Sequence, residues 1–141
     1  MADKTPVTMQ LVRTEGTVPP PDELIAGNRG AVYTDIVKLS TAGENKRGTL
    51  MMTGTDGYVA ATQAGLATAA GICIICDNVT VGENEYAETP AYFVGEFNDA
   101  RVIFPFEGED DDHDVLVEAI REPLRRAGIF LRHFNEKGAA L

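Results

Sequence analysis

The sequence predicts an α+β fold: a small, mainly antiparallel β domain with one C-terminal helix and an extended N-terminal arm. Three observations predict it. Residues 31–106 carry short apolar or alternating runs broken by Gly, Asn and Asp, with no strand–helix alternation, which disfavours a parallel doubly wound sheet. A single apolar stripe with residues three and four apart follows them. Pro6, Pro19, Pro20 and Pro21 mark a first segment with no sustained helical or strand period. With 141 residues, 44% of them apolar, the chain is long enough to bury the core of one domain. The division expected is an arm over residues 1–30 and a domain over residues 31–141.

Within the arm, Pro19-Pro20-Pro21 favours an extended, stiff conformation without internal hydrogen bonds. Val7, Met9 and Leu11 alternate with Thr8 and Gln10, a pattern that forms a strand where a partner edge is offered. The residues leave two readings open: a terminus without a role, or an arm that orders on a partner.

Residues 33–39 read as a strand and 40–46 as a polar turn around Gly43. Residues 47–53 and 58–60 flank Gly54-Thr55-Asp56-Gly57, the composition of a hairpin loop. Residues 71–76, apolar and rich in β-branched side chains, predict a buried strand, and the polar residues 77–86 an excursion or edge strand. Residues 91–106 predict a hairpin turning at Asn98-Asp99, with Phe93 facing Phe104, Gly95 facing Val102, and Glu96 opposite Arg101. Val115, Leu116, Ala119, Ile120, Pro123, Leu124 and Ala127 form the helical stripe, with Glu122 set to pair with Arg126 and Gly128 as the stop. Pro123 lacks a backbone donor and is expected to kink or break this helix. Residues 129–134 return as a short strand.

Twelve Lys and Arg against 22 Asp and Glu give a net charge of −10. So acidic a surface repels phosphate backbones and anionic lipid, which argues against nucleic-acid or membrane partners. The longest nearly apolar stretch, residues 64–76, falls short of the roughly 20 residues of a membrane span. The opening Met-Ala-Asp-Lys-Thr-Pro has no apolar core of the kind a secretory signal carries, so a non-secreted chain is expected.

Cys73-Ile74-Ile75-Cys76 has the spacing of a thiol redox motif. That chemistry needs the first Cys at a helix N-terminus, whereas here both lie on a predicted strand, where positions three apart face opposite sides. Both are expected to be small core residues, and a thiol oxidoreductase using Cys73 and Cys76 is the competing reading. Residues 107–114, Glu-Gly-Glu-Asp-Asp-Asp-His-Asp, suggest calcium, but counting from Asp110 the sixth residue is Val115 and the twelfth Arg121, against the Gly and Glu of an EF-hand loop. Carboxylates just before a helix cap its amides and complement its dipole. No phosphate loop, nucleophile elbow or His-Glu-x-x-His is present. The residues therefore predict no catalytic site, no metal and no cofactor.

The C-terminal half resembles the head decoration (capsid cement) proteins of lambda-like tailed phages. Tyr92-Phe93-Val94-Gly95-Glu96-Phe97-Asn98-Asp99-Ala100 is similar to that family's "GEFN-x-A" segment. Leu124-Arg125-Arg126-Ala127-Gly128-Ile129-Phe130-Leu131-Arg132 is similar to its "L-R-x-x-G-I-F-L-[KR]" ending. Upstream, Asn45-Lys46-Arg47-Gly48-Thr49-Leu50 resembles "x-K-R-G-T-L", and Ala70-Gly71-Ile72 resembles "A-V-G-I-L", with Cys73 where an aliphatic residue is usual. The resemblance spans about residues 31 to 134. Pro123 and the very acidic loop before it depart from the family's pattern.

The resemblance implies a structural, non-enzymatic virion protein with a β-tulip-like domain. Such proteins are made in the host cytoplasm and sit as homotrimers on the outer capsid surface at three-fold positions, clamping major capsid protein subunits after expansion. It also implies that the N-terminal segment orders on the capsid, which makes Val7, Thr8, Met9, Gln10 and Leu11 the candidate capsid-binding residues. A tail component or other virion binding module sharing the same sheet is a further alternative.

Overall fold

A computed structural model of the chain describes residues 23–27 and 32–133. They form the expected α+β domain, largely antiparallel, with one long helix near the C-terminus. The organising element is a 12-residue strand, β8 (Ala87–Asn98), formed where the sequence alternates around Ala91, Phe93 and Phe97. β2 (Tyr33–Leu39) runs antiparallel along it. β4 (Leu50–Gly54) and β5 (Gly57–Ala60) make the expected hairpin, and β6 (Ile72–Ile75) pairs with both β4 and β8. β2 touches β5 at Leu39 and Tyr58, so β8, β2, β5, β4 and β6 close into a ring.

Ring closure explains why β6 is buried on both faces. Its alternate side chains serve two cores. Cys73 and Ile75 point inward to join Val37, Leu39, Met51 and Ala91. Ile72 and Ile74 point outward to join Leu50 and Phe97 beneath α2 (His113–Ala127) and β9 (Ile129–Arg132), which contribute Val117, Ile120, Leu124, Ile129 and Leu131. At about 1.5–3 kcal/mol for each fully buried aliphatic or Phe side chain, these two clusters are the main stabilising term. The tight turn at Thr55-Asp56 depends on Gly57: its φ is +124°, and a Cβ there would lie 2.7 Å from the Lys38 carbonyl oxygen. Gly128, at φ +102°, ends α2 as expected.

The structure corrects several expectations. Residues 101–106 do not fold back on β8. The Ala100 N–H donates to the Asn98 side chain and the Arg101 N–H to the Asn98 carbonyl, which turns the chain away. Ile103 then bridges Thr49: its N–H donates to the Gly48 carbonyl, and the Leu50 N–H donates to its own. The places beside β8 are taken by β1 (Ile25–Gly27), antiparallel, and by β9, parallel, with Gly95 opposite Ile129. Consequently Glu96 pairs with Arg132 at 2.7 Å, and Arg101 reaches Glu23. The inward positions of Val102 and Phe104 are as expected; the partner is not. A two-residue period fixes which face a side chain takes, and any strand can satisfy it.

The same reasoning applies at the helix. Val117, Ile120 and Leu124 are buried, while Val115 is 63% exposed. Ile120 and Leu124 belong to both possible stripes, so spacing alone leaves the inward residue of the first turn open. Glu122 pairs with Arg125 rather than Arg126. The helix runs unbroken through Pro123.

Residues 43–45, expected in a turn, pair as β3 (Gly43–Asn45) with β7 (Val79–Val81) in a separate two-stranded sheet. A single helical turn, α1 (Gln63–Leu66), starts at Thr62, whose hydroxyl accepts from the Gly65 N–H, and buries Leu66. The packed chain also begins earlier than residue 31: Leu24 is buried in the outer core, and its carbonyl accepts from the Asn98 N–H at 2.8 Å.

Candidate interaction surfaces

The expected capsid-binding residues Val7, Thr8, Met9, Gln10 and Leu11 lie outside the described residues. Nearest to them in the chain are β1 and the exposed first half of β2, where Tyr33, Thr34, Asp35 and Ile36 are all on the surface. Ile36 sits opposite Pro90, whose carbonyl accepts from the Cys76 N–H, and the Ile36 N–H donates to the Asp35 carboxylate at 2.7 Å. Tyr33 and Ile36 are exposed apolar side chains beside a strand edge of the kind that proteins use for pairing with a partner.

The acidic residues 107–114 form a loop and the start of α2. Asp112 is the N-cap, its carboxylate accepting from the Asp114 N–H, and Asp111 accepts from the Gly108 N–H at 2.7 Å. Glu109 and Asp110 are exposed. Asp112 thus caps the helix, as the sequence suggested, and Asp111 closes the loop before it. Among the described residues, no group of three or more His, Cys, Asp or Glu is placed to hold a metal ion.

His113 is the first residue of α2. Its ring stacks on Phe104, Nδ1 lies 2.9 Å from Glu107 Oε1, and Nε2 lies 2.7 Å from the Asp99 carbonyl oxygen. Two acceptors against two ring nitrogens suit the doubly protonated imidazolium, in which both nitrogens donate. Burial pushes the His113 pKa down, but the hydrogen bonds to Asp99 and Glu107 and their negative potential outweigh it, leaving it above its usual 6.5. A raised folded-state pKa contributes stability that is complete below pH 6.5 and is lost as pH rises through the folded value. The stability gap between the wild-type chain and His113→Gln is therefore expected to be widest below pH 6.5 and to shrink above it. Urea denaturation of both chains across that range checks this; a gap that widens with rising pH contradicts it.

At the other end of α2, Arg121, Arg125 and Arg132 surround a groove of about 350 Å3 floored by Ile129, Phe130 and Leu131. Arg121 Nη1 donates to the Leu131 carbonyl at 2.6 Å, tying the helix to β9. Phe130 is 43% exposed. Local periodicity leaves Arg121 and Arg125 off the apolar stripe of the helix and says no more of them. It missed the groove because Arg132 joins them through the β8–β9 pairing, which local periodicity does not carry.

Cys73 and Cys76 are both free thiols. Cys73 is fully buried inside the strand ring, and burial, with the nearby Cys76, pushes its pKa up to about 12. Burial also raises the Cys76 thiol, despite its hydrogen bond to Tyr92 and the nearby Arg47. This is the reverse of the thiolate activation that redox chemistry requires. Titration with a charged thiol reagent at neutral pH is expected to leave Cys73 unlabelled in the native chain and to label both cysteines after denaturation. Rapid native labelling of Cys73 contradicts that placement.

The four segments that carry the family resemblance meet in space. Arg47 Nη1 donates to the Tyr92 hydroxyl at 3.0 Å, linking the first segment to the third. The Gly95 N–H donates to the Gly128 carbonyl, and Glu96 bonds Arg132, linking the third to the fourth. The Gly71 N–H donates to the Thr53 hydroxyl in β4, the strand that Leu50 begins, and Ile72 packs in one cluster with Leu50 and Phe97. No helix among the described residues is long and apolar enough to cross a membrane. No protein-family model matches the chain, and no curated protein matches it.

Proposed function

We propose that this chain is a head decoration protein: a trimer on the outer surface of a tailed-phage head that binds major capsid protein at three-fold positions and stabilises the expanded shell. The observation that carries the reading is the convergence just described. Segments scattered over residues 45–132 resemble one family in the same order, and they pack against one another as the framework of one domain rather than as isolated matches. The α+β fold, which the residues predict without the resemblance, is of the class that family has. The described surface supports it further: the exposed apolar side chains Tyr33 and Ile36 and the edge of β2 lie where the chain follows on from the arm.

In this reading the arm adds a strand beside a capsid element through Val7, Met9 and Leu11, with Thr8 and Gln10 on the opposite face. Backbone bonds supply affinity and the alternate side chains supply fit. Ordering an extended arm limits what each copy gains, and three arms on one trimer recover it through effective concentration. Light scattering on the full chain tests the assembly, and co-sedimentation with expanded and unexpanded heads tests the target. The proposal expects a trimer that sediments with expanded heads. A chain that is monomeric and sediments with neither contradicts it.

A further inference from the structure

Three parts of the chain meet at one end of the strand ring. β2 turns Lys38 to the surface between the buried Val37 and Leu39, as a two-residue period requires. The β4–β5 turn, carrying the exposed Thr55 and Asp56, lies against it, since Gly57 packs onto the Lys38 backbone. The loop between β7 and β8 closes the third side. There the Glu85 N–H donates to the Gly82 carbonyl at 3.1 Å, and Asn84 takes the left-handed conformation, φ +60°, that asparagine tolerates. Tyr86 follows, 59% exposed, with the Lys38 ammonium 4.5 Å from its ring centre. These walls line an open cleft of about 560 Å3, within the size range of small-ligand sites.

The polar groups of this cleft are unspent. Among the described residues, the side chains of Lys38, Thr55, Asp56, Asn84 and Glu85 make no hydrogen bond or ion pair with one another or with the rest of the chain. Around α2 and β9, by contrast, Arg121, Arg125 and Arg132 each hold a carboxylate of their own chain. Charge and donor count narrow the ligand class. Asp56 and Glu85 repel a phosphate or another acidic group. Lys38 repels a cation, and it already occupies the Tyr86 ring, where a cation would otherwise settle. Lys38 only donates, the two carboxylates only accept, and Asn84 and Thr55 do both. The hydroxyls of an uncharged sugar, each donor and acceptor at once, match that mixed set. The apolar C–H face of a sugar ring matches an exposed aromatic side chain, which carries a large apolar area.

We propose that this cleft, between the β4–β5 turn and the β7–β8 loop, binds a neutral oligosaccharide, with Tyr86 as its platform and Asp56, Asn84 and Glu85 as its hydrogen-bonding partners. All four residues lie outside the segments that carry the family resemblance, so the site stands or falls apart from the capsid reading. Each polar contact replaces one already made to water and gains little, so the expected Kd is about 1 mM.

The test is a titration of the full-length chain, followed by its amide NMR shifts, with neutral trisaccharides of glucose, galactose, mannose and N-acetylglucosamine. A sialylated and a sulfated trisaccharide serve as charged controls. At least one neutral sugar is expected to bind more tightly than either control and to move the amides of residues 38–40, 55–59 and 84–86. Tyr86→Ala is expected to weaken that binding by about tenfold, and Tyr86→Phe to preserve it, since the ring rather than the hydroxyl makes the platform. Asp56→Ala combined with Glu85→Ala is expected to weaken it as well. These side chains are exposed, and circular dichroism confirms that each variant is folded. No shift with any neutral sugar at about 20 mM, shifts centred elsewhere, or a folded Tyr86→Ala chain that binds like the wild type overturns the site. Tighter binding of a charged control overturns the ligand class.

Discussion

Replacing Phe97 by alanine is expected to destabilise the domain by about 3–5 kcal/mol, the range for removing a fully buried aromatic ring. Phe97 has no exposed surface, and its ring centroid lies 5.5 Å from that of Tyr92 in the core that α2 and β9 cover. Ile103→Ala, at a side chain 39% exposed, is expected to cost under about 1 kcal/mol. Phe93 and Phe104 belong to different clusters, inner and outer, so a double-mutant cycle between them should show no coupling. Urea denaturation of these variants separates the observed pairing of β8 from the hairpin that alternation alone suggested. A strong Phe93–Phe104 coupling would restore the hairpin.

Deleting residues 1–22 is expected to leave a folded trimer whose binding to expanded heads falls by at least about 100-fold, because avidity from three arms is lost together. The deletion point matters. Leu24 is 2% exposed and Ile25 pairs with Phe97, so a deletion carried through residue 30 also removes core and strand. Loss of Leu24 alone is expected to cost about 2–5 kcal/mol. Comparing the two deletions by thermal melting and by co-sedimentation separates an arm that binds from one that folds the domain. A chain lacking residues 1–22 that saturates expanded heads at the wild-type concentration contradicts the role given to Val7, Thr8, Met9, Gln10 and Leu11.

What could be read from the sequence was local. β2, the β4–β5 hairpin, β6 and the helix with its Gly128 stop follow from period, turn residues and capping, all encoded within a few positions. What could not be read was long-range choice among equivalent partners. Residues 101–106 alternate correctly for β8, yet β1 and β9 occupy its edges, since those pairings bury Leu24, Ile129 and Leu131 around Phe97. Leu24 is not legible because the apolar run Leu24-Ile25-Ala26, after prolines and acidic residues and before Gly27, is too short to show a period. The arginine groove and the Glu107–His113–Asp99 contacts depend on the same long-range choices. The burial of Cys73, by contrast, was legible: five consecutive apolar positions between Gly71 and Asp77 leave little but a strand buried on both faces.

The proposed function puts this domain on capsid three-folds. The most direct test is an image reconstruction of expanded phage heads with and without the full-length chain. The expected result is added density of three domains around each three-fold position on the outer surface, continued by an extended segment lying against capsid protein. Heads that show no added density at the three-folds at saturating protein, or density only at the tail, would contradict it.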